Sequence, residues 1–316
     1  MAIIHSAFNQ ESSNLTVSTD LGYSIYNCEP FHKCYKMDES GGTGSADMLF
    51  CTHLVATVGR GHYPTFSSKR LRIYNTERNS LLCELDFPTT IITVKMNRNY
   101  MCVALTDQIY VYDVTNITIL KVIKTTGNQK GLLSISLLSD SHVLVYPESN
   151  GIIKIFDLKA QDHISAFKVC KSDISAIQLN LDGTLLAVAS SRGTLIRVFN
   201  LRTCKKIEQF RRGLLIEKVT KIAFDKNCNI LIAVSVNTVH IFKLNVKKRI
   251  VDRIKDKGKR AFAYIKKKNV MAVSVSDLTN NVMLFTKDGL FEVWKVDFEK
   301  GGECVLIDNT STSGNS

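Results

Sequence analysis

Seven similar segments recur along this chain, and they constrain its fold more than any other feature of the sequence. Each segment ends with an aliphatic residue, an aromatic residue and then a polar or turn-tolerant residue. The seven endings are Ile25-Tyr26-Asn27, Ile73-Tyr74-Asn75, Val111-Tyr112-Asp113, Ile155-Phe156-Asp157, Val198-Phe199-Asn200, Ile241-Phe242-Lys243 and Val293-Trp294-Lys295. Successive aromatic residues are 48, 38, 44, 43, 43 and 52 positions apart. Repeats of about 40 to 45 residues with several strands each are typical of propeller blades.

The residues between these endings have the character of strands. Met101–Leu105 and Leu185–Ala189 are apolar runs of strand length, and Asn150-Gly151, Asp182-Gly183 and Asp288-Gly289 are turn signals. Helical periodicity is nearly absent, which argues against helical repeats. The sequence therefore predicts an all-β protein, a seven-bladed β-propeller of the WD-repeat kind.

No composition shift divides the repeats into separate domains. We therefore predict a single propeller domain over residues 1–308, followed by a polar, disordered tail over residues 309–316. The glycine-rich stretch of residues 41–45 is expected to form a surface loop between the first two blades.

The cysteines and the N-terminus indicate the compartment. The nine cysteines are odd in number and scattered, and none forms a Cys-x-x-Cys pair, which indicates free thiols in a reducing compartment. The first ten residues lack the pattern of a secretion signal, and no apolar run approaches the ~20 residues that span a bilayer. We expect a cytosolic protein without a cofactor or a metal site.

Positive charge is concentrated in one segment. The net charge is +12, and residues 247–268 hold eleven Lys or Arg residues against Asp252 and Asp256, which gives +9. A solvated loop, an anionic membrane surface or nucleic acid would each fit such a run. Exposed aromatic residues for base stacking are scarce here, so nucleic acid is disfavoured. The candidate membrane-contacting residues are Lys247, Lys248, Arg249, Arg253, Lys255, Lys257, Lys259 and Arg260.

Two adjacent arginines follow the fifth repeat, in Phe210-Arg211-Arg212-Gly213. Successive side chains of an extended chain point in opposite directions, so Arg211 and Arg212 are able to serve two different pockets. A guanidinium group binds phosphate oxygens in a bidentate manner, and neighbouring hydroxyl groups add further donors.

These residues also carry a family resemblance. The Phe-Arg-Arg-Gly sequence resembles the hallmark of the PROPPIN family, the phosphoinositide-binding β-propellers that include the WIPI proteins of animals. Four further segments are similar to family motifs over nearly the whole chain: Ser190–Phe199, Thr238–Phe242, Thr125–Leu132 and Gly301–Cys304.

The resemblance implies two rim pockets for phosphatidylinositol 3-phosphate and phosphatidylinositol 3,5-bisphosphate. The first would consist of Ser190, Thr194, Arg197, Arg211 and Ser172. The second would consist of Arg212, Ser235, Thr238 and His240, with a histidine donor that strengthens as the pH falls.

The chain departs from the family pattern at three places. Cys170 stands where the family has a histidine, and a thiol is a poor phosphate donor near neutral pH. The first pocket is therefore expected to be weaker or differently tuned, with Lys171 or Ser172 compensating. Val236 replaces a usual serine beside the second pocket, and the basic loop is short with a small apolar tip.

The predicted function is recruitment to membranes, without catalysis. No hydrolase, metalloprotease or phosphate-loop motif is present, which disfavours an enzyme. The resemblance implies a monomeric peripheral protein that moves from the cytosol to the phagophore assembly site and to endosomal and vacuolar or lysosomal membranes. Its partners there would be autophagy proteins of the lipid-transfer or conjugation machinery, and Pro64–Arg72 is either a protein-binding edge or a solvated loop. The alternative is a basic WD-repeat scaffold that binds proteins or RNA without phosphoinositide specificity.

Overall fold

The computed structural model describes residues 2–38, 41–61, 64–244 and 258–312. They form seven sheets, each with four antiparallel strands and two of them extended by a short parallel strand; these sheets are the blades of a propeller, and this confirms the predicted fold. Blades 1 and 2 contain β1 (Ile3–Phe8), β2 (Asn14–Thr19), β3 (Gly22–Cys28), β4 (Phe31–Asp38), β5 (Thr43–Met48), β6 (Leu54–Gly59), β7 (Arg70–Asn75) and β8 (Ser80–Asp86). Blades 3 and 4 contain β9 (Thr93–Met96), β10 (Tyr100–Ala104), β11 (Gln108–Asp113), β12 (Ile119–Lys124), β13 (Ser134–Ile135), β14 (Val143–Glu148), β15 (Ile152–Asp157) and β16 (Asp162–Lys168), with a 3-10 turn at Ser149–Gly151.

The remaining blades contain the second half of the chain. Blade 5 contains β17 (Ile174–Leu179), β18 (Leu185–Ser190), β19 (Leu195–Asn200) and β20 (Lys205–Arg211), and it is extended by β24 (Lys259–Arg260). Blade 6 contains β21 (Val219–Phe224), β22 (Ile230–Ser235), β23 (Thr238–Lys243) and β25 (Ala263–Lys266), and it is extended by β29 (Gly302–Glu303). Blade 7 contains β26 (Val270–Val275), β27 (Val282–Thr286), β28 (Leu290–Lys295) and β30 (Val305–Ser311).

The repeated aliphatic-aromatic pairs have a common structural cause. Each pair lies near the end of the third strand of its blade. In blades 1 to 5 and blade 7 the pairing with the fourth strand shifts register between the aliphatic and the aromatic residue. Such a bulge changes the local twist of the strand, and both faces of a blade are covered by its neighbours. Both residues of a pair can therefore be buried, as Ile155 and Phe156 are.

The core lies between the blades. Phe210 and Phe242 pack across the boundary between blades 5 and 6, with ring centroids 4.8 Å apart. Blades 1 and 7 share no strand, so side chains join the two ends of the ring. There the rings of Phe31 and Phe291 stack with centroids 4.2 Å apart.

The first strands of the blades surround a central channel with a cavity of about 810 Å³. His5 and Lys221 lie in this channel near the ion pair of Lys95 and Asp47, in which the Nζ and Oδ1 atoms are 3.4 Å apart. Burial lowers the pKa of His5 to about 4 and also lowers the pKa of Lys221.

Two predictions about chain segments are wrong. Residues 309–311, assigned to a disordered tail, belong to β30 and pair with Leu290–Glu292 of β28. Backbone hydrogen bonds hold an outer strand whose side chains face solvent, so its polar composition does not prevent pairing. The predicted loop at residues 41–45 instead leads into β5, where Thr43 is buried. A Cβ atom on Gly42 would lie 2.3 Å from the Arg60 carbonyl oxygen, so the glycine allows a close backbone approach.

Candidate functional site

The first predicted pocket corresponds to a cleft of about 920 Å³ on blade 5. Ser172, Ser190, Thr194 and Arg197 all line it. The alternation of β19 explains the position of Arg197, because Ile196 and Val198 on either side are fully buried in the core. The structure thus brings four of the five predicted residues of this site together.

Arg211 is the exception, since it is not among the residues that line the cleft. It ends β20, where its Cα atom pairs with that of Leu195, the residue after Thr194. On its other side Arg211 pairs with Arg260 of β24 in a parallel bridge. The predicted basic residues Lys259 and Arg260 therefore lie beside the arginine pair, and Lys259 forms an ion pair with Glu208, with 3.1 Å between Nζ and Oε2. Lys247, Lys248, Arg249, Arg253, Lys255 and Lys257 lie outside the described residues.

Sequence reasoning missed two cations of this cleft and underused a third. Lys168 and Arg192 line it together with Lys171. With Arg197, the cleft is lined by four positive charges and two serine hydroxyl groups, which is a suitable donor set for a phosphomonoester dianion. Arg192 lies within the Ser190–Phe199 motif, so its proximity in sequence to Thr194 was the available signal.

Cys170 also lines the cleft, and its thiol is already engaged. Sγ donates a hydrogen bond to the carbonyl oxygen of Ser172 over 2.8 Å. Burial raises the pKa of Cys170, although the charge of Arg197 opposes this. The thiol is therefore protonated near neutral pH and directed at the backbone.

The second predicted site is arranged around a buried arginine. Only 5% of the Arg212 side chain is exposed. Its Nε donates to the carbonyl oxygen of Gly193 (2.8 Å), its Nη1 to the carboxylate of Glu217 (2.7 Å) and its Nη2 to the carbonyl oxygen of Leu215. A guanidinium group has five N–H donors, so two N–H groups remain beyond these three bonds.

Gly193 makes this arrangement possible. Its φ angle is +62°, and an added Cβ atom would lie 1.8 Å from the Glu217 carbonyl oxygen. Only glycine allows the connection between blades 5 and 6 to pass so close to the turn between β18 and β19. The turn of the Ser190–Phe199 segment therefore has a direct structural role next to both candidate pockets.

The other residues of the second site form a short polar chain. The Ser235 hydroxyl lies 3.0 Å from the Thr238 hydroxyl, which lies 3.4 Å from Nδ1 of His240. Burial and the charge of Arg212 lower the pKa of His240 to about 4, while Glu217 opposes this. His240 is consequently neutral near pH 7 in the absence of a ligand, and the gain of a charged histidine donor at lower pH stays a prediction.

Sequence reasoning also missed Glu217, which neutralises Arg212. Its Oε1 atom accepts hydrogen bonds from the backbone N–H and the side-chain amide of Asn237, at 2.8 and 3.1 Å. Glu217 thus joins Arg212 to the turn that precedes Thr238. Arg212 and Glu217 are five residues apart, and side chains at that spacing in an extended strand point to opposite faces. The spacing therefore did not indicate an ion pair.

Two cations at the edge of blade 2, Arg70 and Arg72, are paired within that blade. Arg70 forms hydrogen bonds to both carboxylate oxygens of Asp86, at 2.7 and 2.9 Å. Arg72 pairs with Glu84 at 2.6 Å, and its guanidinium carbon lies 4.1 Å from the centre of the Phe66 ring.

Three further observations concern the cysteines, metal sites and membrane-spanning helices. All nine cysteines are free thiols. In the part of the chain that the structure describes, no His, Cys, Asp and Glu cluster is suited to a metal ion. Within the same residues, no helix has the length and apolarity needed to cross a bilayer.

Comparison of the sequence and the structure with known proteins identifies a family. The family model described as PROPPIN matches residues 2–278. Autophagy-related protein 18 of Yarrowia lipolytica is 33% identical over 377 aligned positions, which cover 95% of this chain and 94% of that protein. Autophagy-related protein 18 of Mycosarcoma maydis is 40% identical over 271 positions, covering 77% of this chain and 59% of that protein. The Mycosarcoma maydis protein is one of seven relatives of which the alignment with this chain covers 51% to 66% of the relative's own length.

A solved structure agrees with these matches. KlAtg21, in its complex with the coiled-coil of AgAtg16, superimposes with a TM-score of 0.86 at 31% sequence identity, covering 98% of this chain and 99% of that chain. The propeller, its motifs and its relatives lead to one assignment: the chain belongs to the PROPPIN family.

Proposed function

We propose that this protein is a membrane recruitment module that recognises phosphatidylinositol 3-phosphate and phosphatidylinositol 3,5-bisphosphate at two neighbouring rim sites. The cleft of blade 5 supports this proposal most directly, because Ser172, Ser190 and Arg197 line it together with three further cations. The Arg212 site lies across the Gly193 turn and supplies the second position.

Two adjacent sites suit a membrane-bound ligand. Capture of a second headgroup becomes intramolecular once the first is bound, and avidity then exceeds single-site affinity by ~10²–10⁴-fold. Lysines near an anionic bilayer add about 1 kcal/mol each, an effect that decreases with salt. The bound propeller leaves its other blades accessible to protein partners.

The proposed partners are autophagy proteins, and the proposed locations are the phagophore assembly site and endosomal and vacuolar membranes. The relatives named autophagy-related protein 18 and autophagy-related protein 21 support this. The complex of KlAtg21 with a coiled-coil makes a coiled-coil protein a suitable partner class to test. The protein would act by binding alone, without a chemical step.

Vesicle flotation tests the proposal. Vesicles containing the 3-phosphate or the 3,5-bisphosphate are compared with 4-phosphate and phosphatidylserine vesicles of equal charge. We expect selective binding by the wild type and its loss when Arg211 and Arg212 are both changed to Thr. Equal binding to all anionic vesicles, unchanged in this variant, would instead support a basic scaffold without phosphoinositide specificity.

Arg212 also holds the connection between blades 5 and 6, so the double variant could lose binding because it is misfolded. A second variant that leaves this connection intact is therefore needed. Arg197→Gln removes a cation of the blade 5 cleft and leaves the contacts of Arg212 in place. Loss of selectivity in both variants, with unchanged urea denaturation of Arg197→Gln, separates lost recognition from lost structure.

A further inference from the structure

Three consecutive aliphatic residues project into solvent after the arginine pair and Gly213. Leu214, Leu215 and Ile216 connect β20 to β21, and they are 82%, 81% and 74% exposed. Leu278 reaches a similar exposure of 80%, but it stands alone. Single exposed apolar residues are ordinary, whereas a contiguous group marks a contact surface. We refer to Leu214–Ile216 as the apolar tip.

The apolar tip has a fixed shape. The guanidinium group of Arg212 donates to the carbonyl oxygen of Leu215 within the tip and to the Glu217 carboxylate at its end. The backbone N–H of Glu217 donates to the Arg192 carbonyl oxygen over 3.3 Å. These bonds hold the flanks of the segment, so its three side chains project outward on an ordered backbone.

The apolar tip also lies between the two candidate pockets. Strands alternate in direction within a blade, so connections between blades lie at the same end as the turns between second and third strands. That end carries the turn at residues 191–194, which borders the blade 5 cleft, and the turn at residues 236–237, which precedes Thr238. Val236, 53% exposed, adds a fourth apolar side chain there.

The surrounding charges identify the partner as a lipid surface. The exposed cations Lys171, Arg192 and Lys218 lie at this end of the blades, and Arg212 neutralises the nearby Glu217. Aliphatic side chains bordered by lysine and arginine are the pattern of segments that enter a membrane interface. Protein-binding hot spots favour Trp, Tyr and Arg, and the apolar tip contains only Leu and Ile.

We propose that the apolar tip inserts into the interfacial layer of the bilayer whose headgroups occupy the rim pockets. This rests on the proposed function, since it assigns the same membrane to both features. Headgroup binding selects the lipid, and insertion of the apolar tip slows dissociation from the surface. Arg212 contributes to both steps, because it belongs to one pocket and holds the backbone of the tip.

The experiment compares vesicle binding with binding of the soluble headgroup. Changing Leu214, Leu215 and Ile216 together to Ser should weaken flotation with 3-phosphate vesicles at least tenfold. Binding of soluble inositol 1,3-bisphosphate should stay unchanged, because the pocket residues are intact. Leu278→Ser is the matched control, with equal exposure on blade 7, and it should float as the wild type does.

A fluorescence variant measures insertion itself. The wild type has a single tryptophan, Trp294, so Leu215→Trp adds one reporter at the tip. Vesicles with bromine atoms high on the acyl chains should quench this added fluorescence, and the Trp294 signal of the wild type provides the baseline. Absence of added quenching, together with flotation of the triple Ser variant at the wild-type level, would overturn the proposal.

Failure of the proposed function gives a different result. A wild type that neither binds the soluble headgroup nor prefers 3-phosphate vesicles would contradict phosphoinositide recognition. Leu215→Trp is then tested on phosphatidylserine vesicles, where quenching would still support insertion of the tip and its absence would refute it.

Discussion

The Arg212 guanidinium and the Glu217 carboxylate form an ion pair at 2.7 Å, so the arginine that we propose for the second headgroup site already has an anionic partner. The Glu217 side chain is 19% exposed and the Arg212 side chain 5%, so the carboxylate is the more accessible partner. A phosphate at Arg212 would share the guanidinium charge with this carboxylate and would be repelled by it. The structure therefore has a cleft with four cations on blade 5 and a neighbouring site whose arginine is already neutralised.

Glu217→Gln should strengthen binding of 3-phosphate vesicles by about three- to tenfold. The change removes a negative charge that repels the headgroup, and like charges placed together at an interface are unfavourable. Isothermal titration with the soluble headgroup measures the same effect without the membrane. Asp86→Asn is the control, because it removes an equal charge from Arg70 on blade 2.

The Glu217 variant should also be less stable, by about 1–3 kcal/mol, since a buried hydrogen-bonded charge loses its ionic partner. Urea denaturation measures this cost separately from binding. Unchanged or weaker headgroup affinity in a folded Glu217→Gln protein would contradict competition at Arg212.

Arg197→Gln should weaken headgroup binding at least tenfold. Hydrogen bonds to charged groups contribute about 1.5–3 kcal/mol, and Arg197 lines the cleft from β19, where Ile196 and Val198 on either side are fully buried. Titration of the soluble headgroup checks this, with Arg70→Gln as the control that removes an equal charge far from the cleft. Similar losses in both variants would indicate a general effect of charge.

The fold could be predicted because its cause is local and repeated. An aliphatic-aromatic pair lies near the end of the third strand of every blade and coincides with a bulge in six of them, so seven pairs predict seven blades. Residues 309–311 were mistaken for a tail because backbone pairing, rather than side-chain burial, holds an outer strand.

The candidate site could be predicted only in part. The motifs indicated Ser190, Thr194 and Arg197, which share a cleft in the structure. Lys168 was missed because it lines the cleft from β16, the outer strand of blade 4, which carries no family motif. Glu217 was missed because its pairing with Arg212 depends on the path of the chain past Gly193.

Stability should decrease as the pH falls from about 6.5 to about 4. The folded-state pKa values of His5 and His240 are both about 4, whereas an unfolded histidine titrates near 6.5. Above pH 6.5 neither state is protonated, and below it only the unfolded state takes up protons at these positions. Each histidine therefore lowers the free energy of unfolding by at most about 1.4 kcal/mol per pH unit within this window.

Urea denaturation at pH 7 and pH 4.5 measures this dependence. His240→Asn and His5→Asn should each show a smaller loss between the two pH values than the wild type. His53→Asn changes a histidine whose side chain is 59% exposed, and it should retain the wild-type dependence. Equal dependence in all four proteins would show that other groups cause the acid sensitivity.

Phe291→Ala should open the ring at the boundary between blades 1 and 7. Phe291 is fully buried and stacks on Phe31, and no strand crosses between these two blades, so side-chain contacts, which include the hydrogen bond from Ser276 to Glu29, carry the closure. Removal of a buried phenylalanine ring costs about 3–5 kcal/mol, and here the loss falls on the one blade boundary that the chain does not connect directly. We expect a lower urea midpoint and faster proteolysis within blades 1 and 7.

Phe242→Ala is the control, because it makes the same change between blades 5 and 6, a boundary that the chain connects. When both variants are destabilised equally, Phe242→Ala should leave blades 1 and 7 protected from proteolysis. Cleavage spread evenly over all blades in both variants would mean that the ring opens at no preferred boundary.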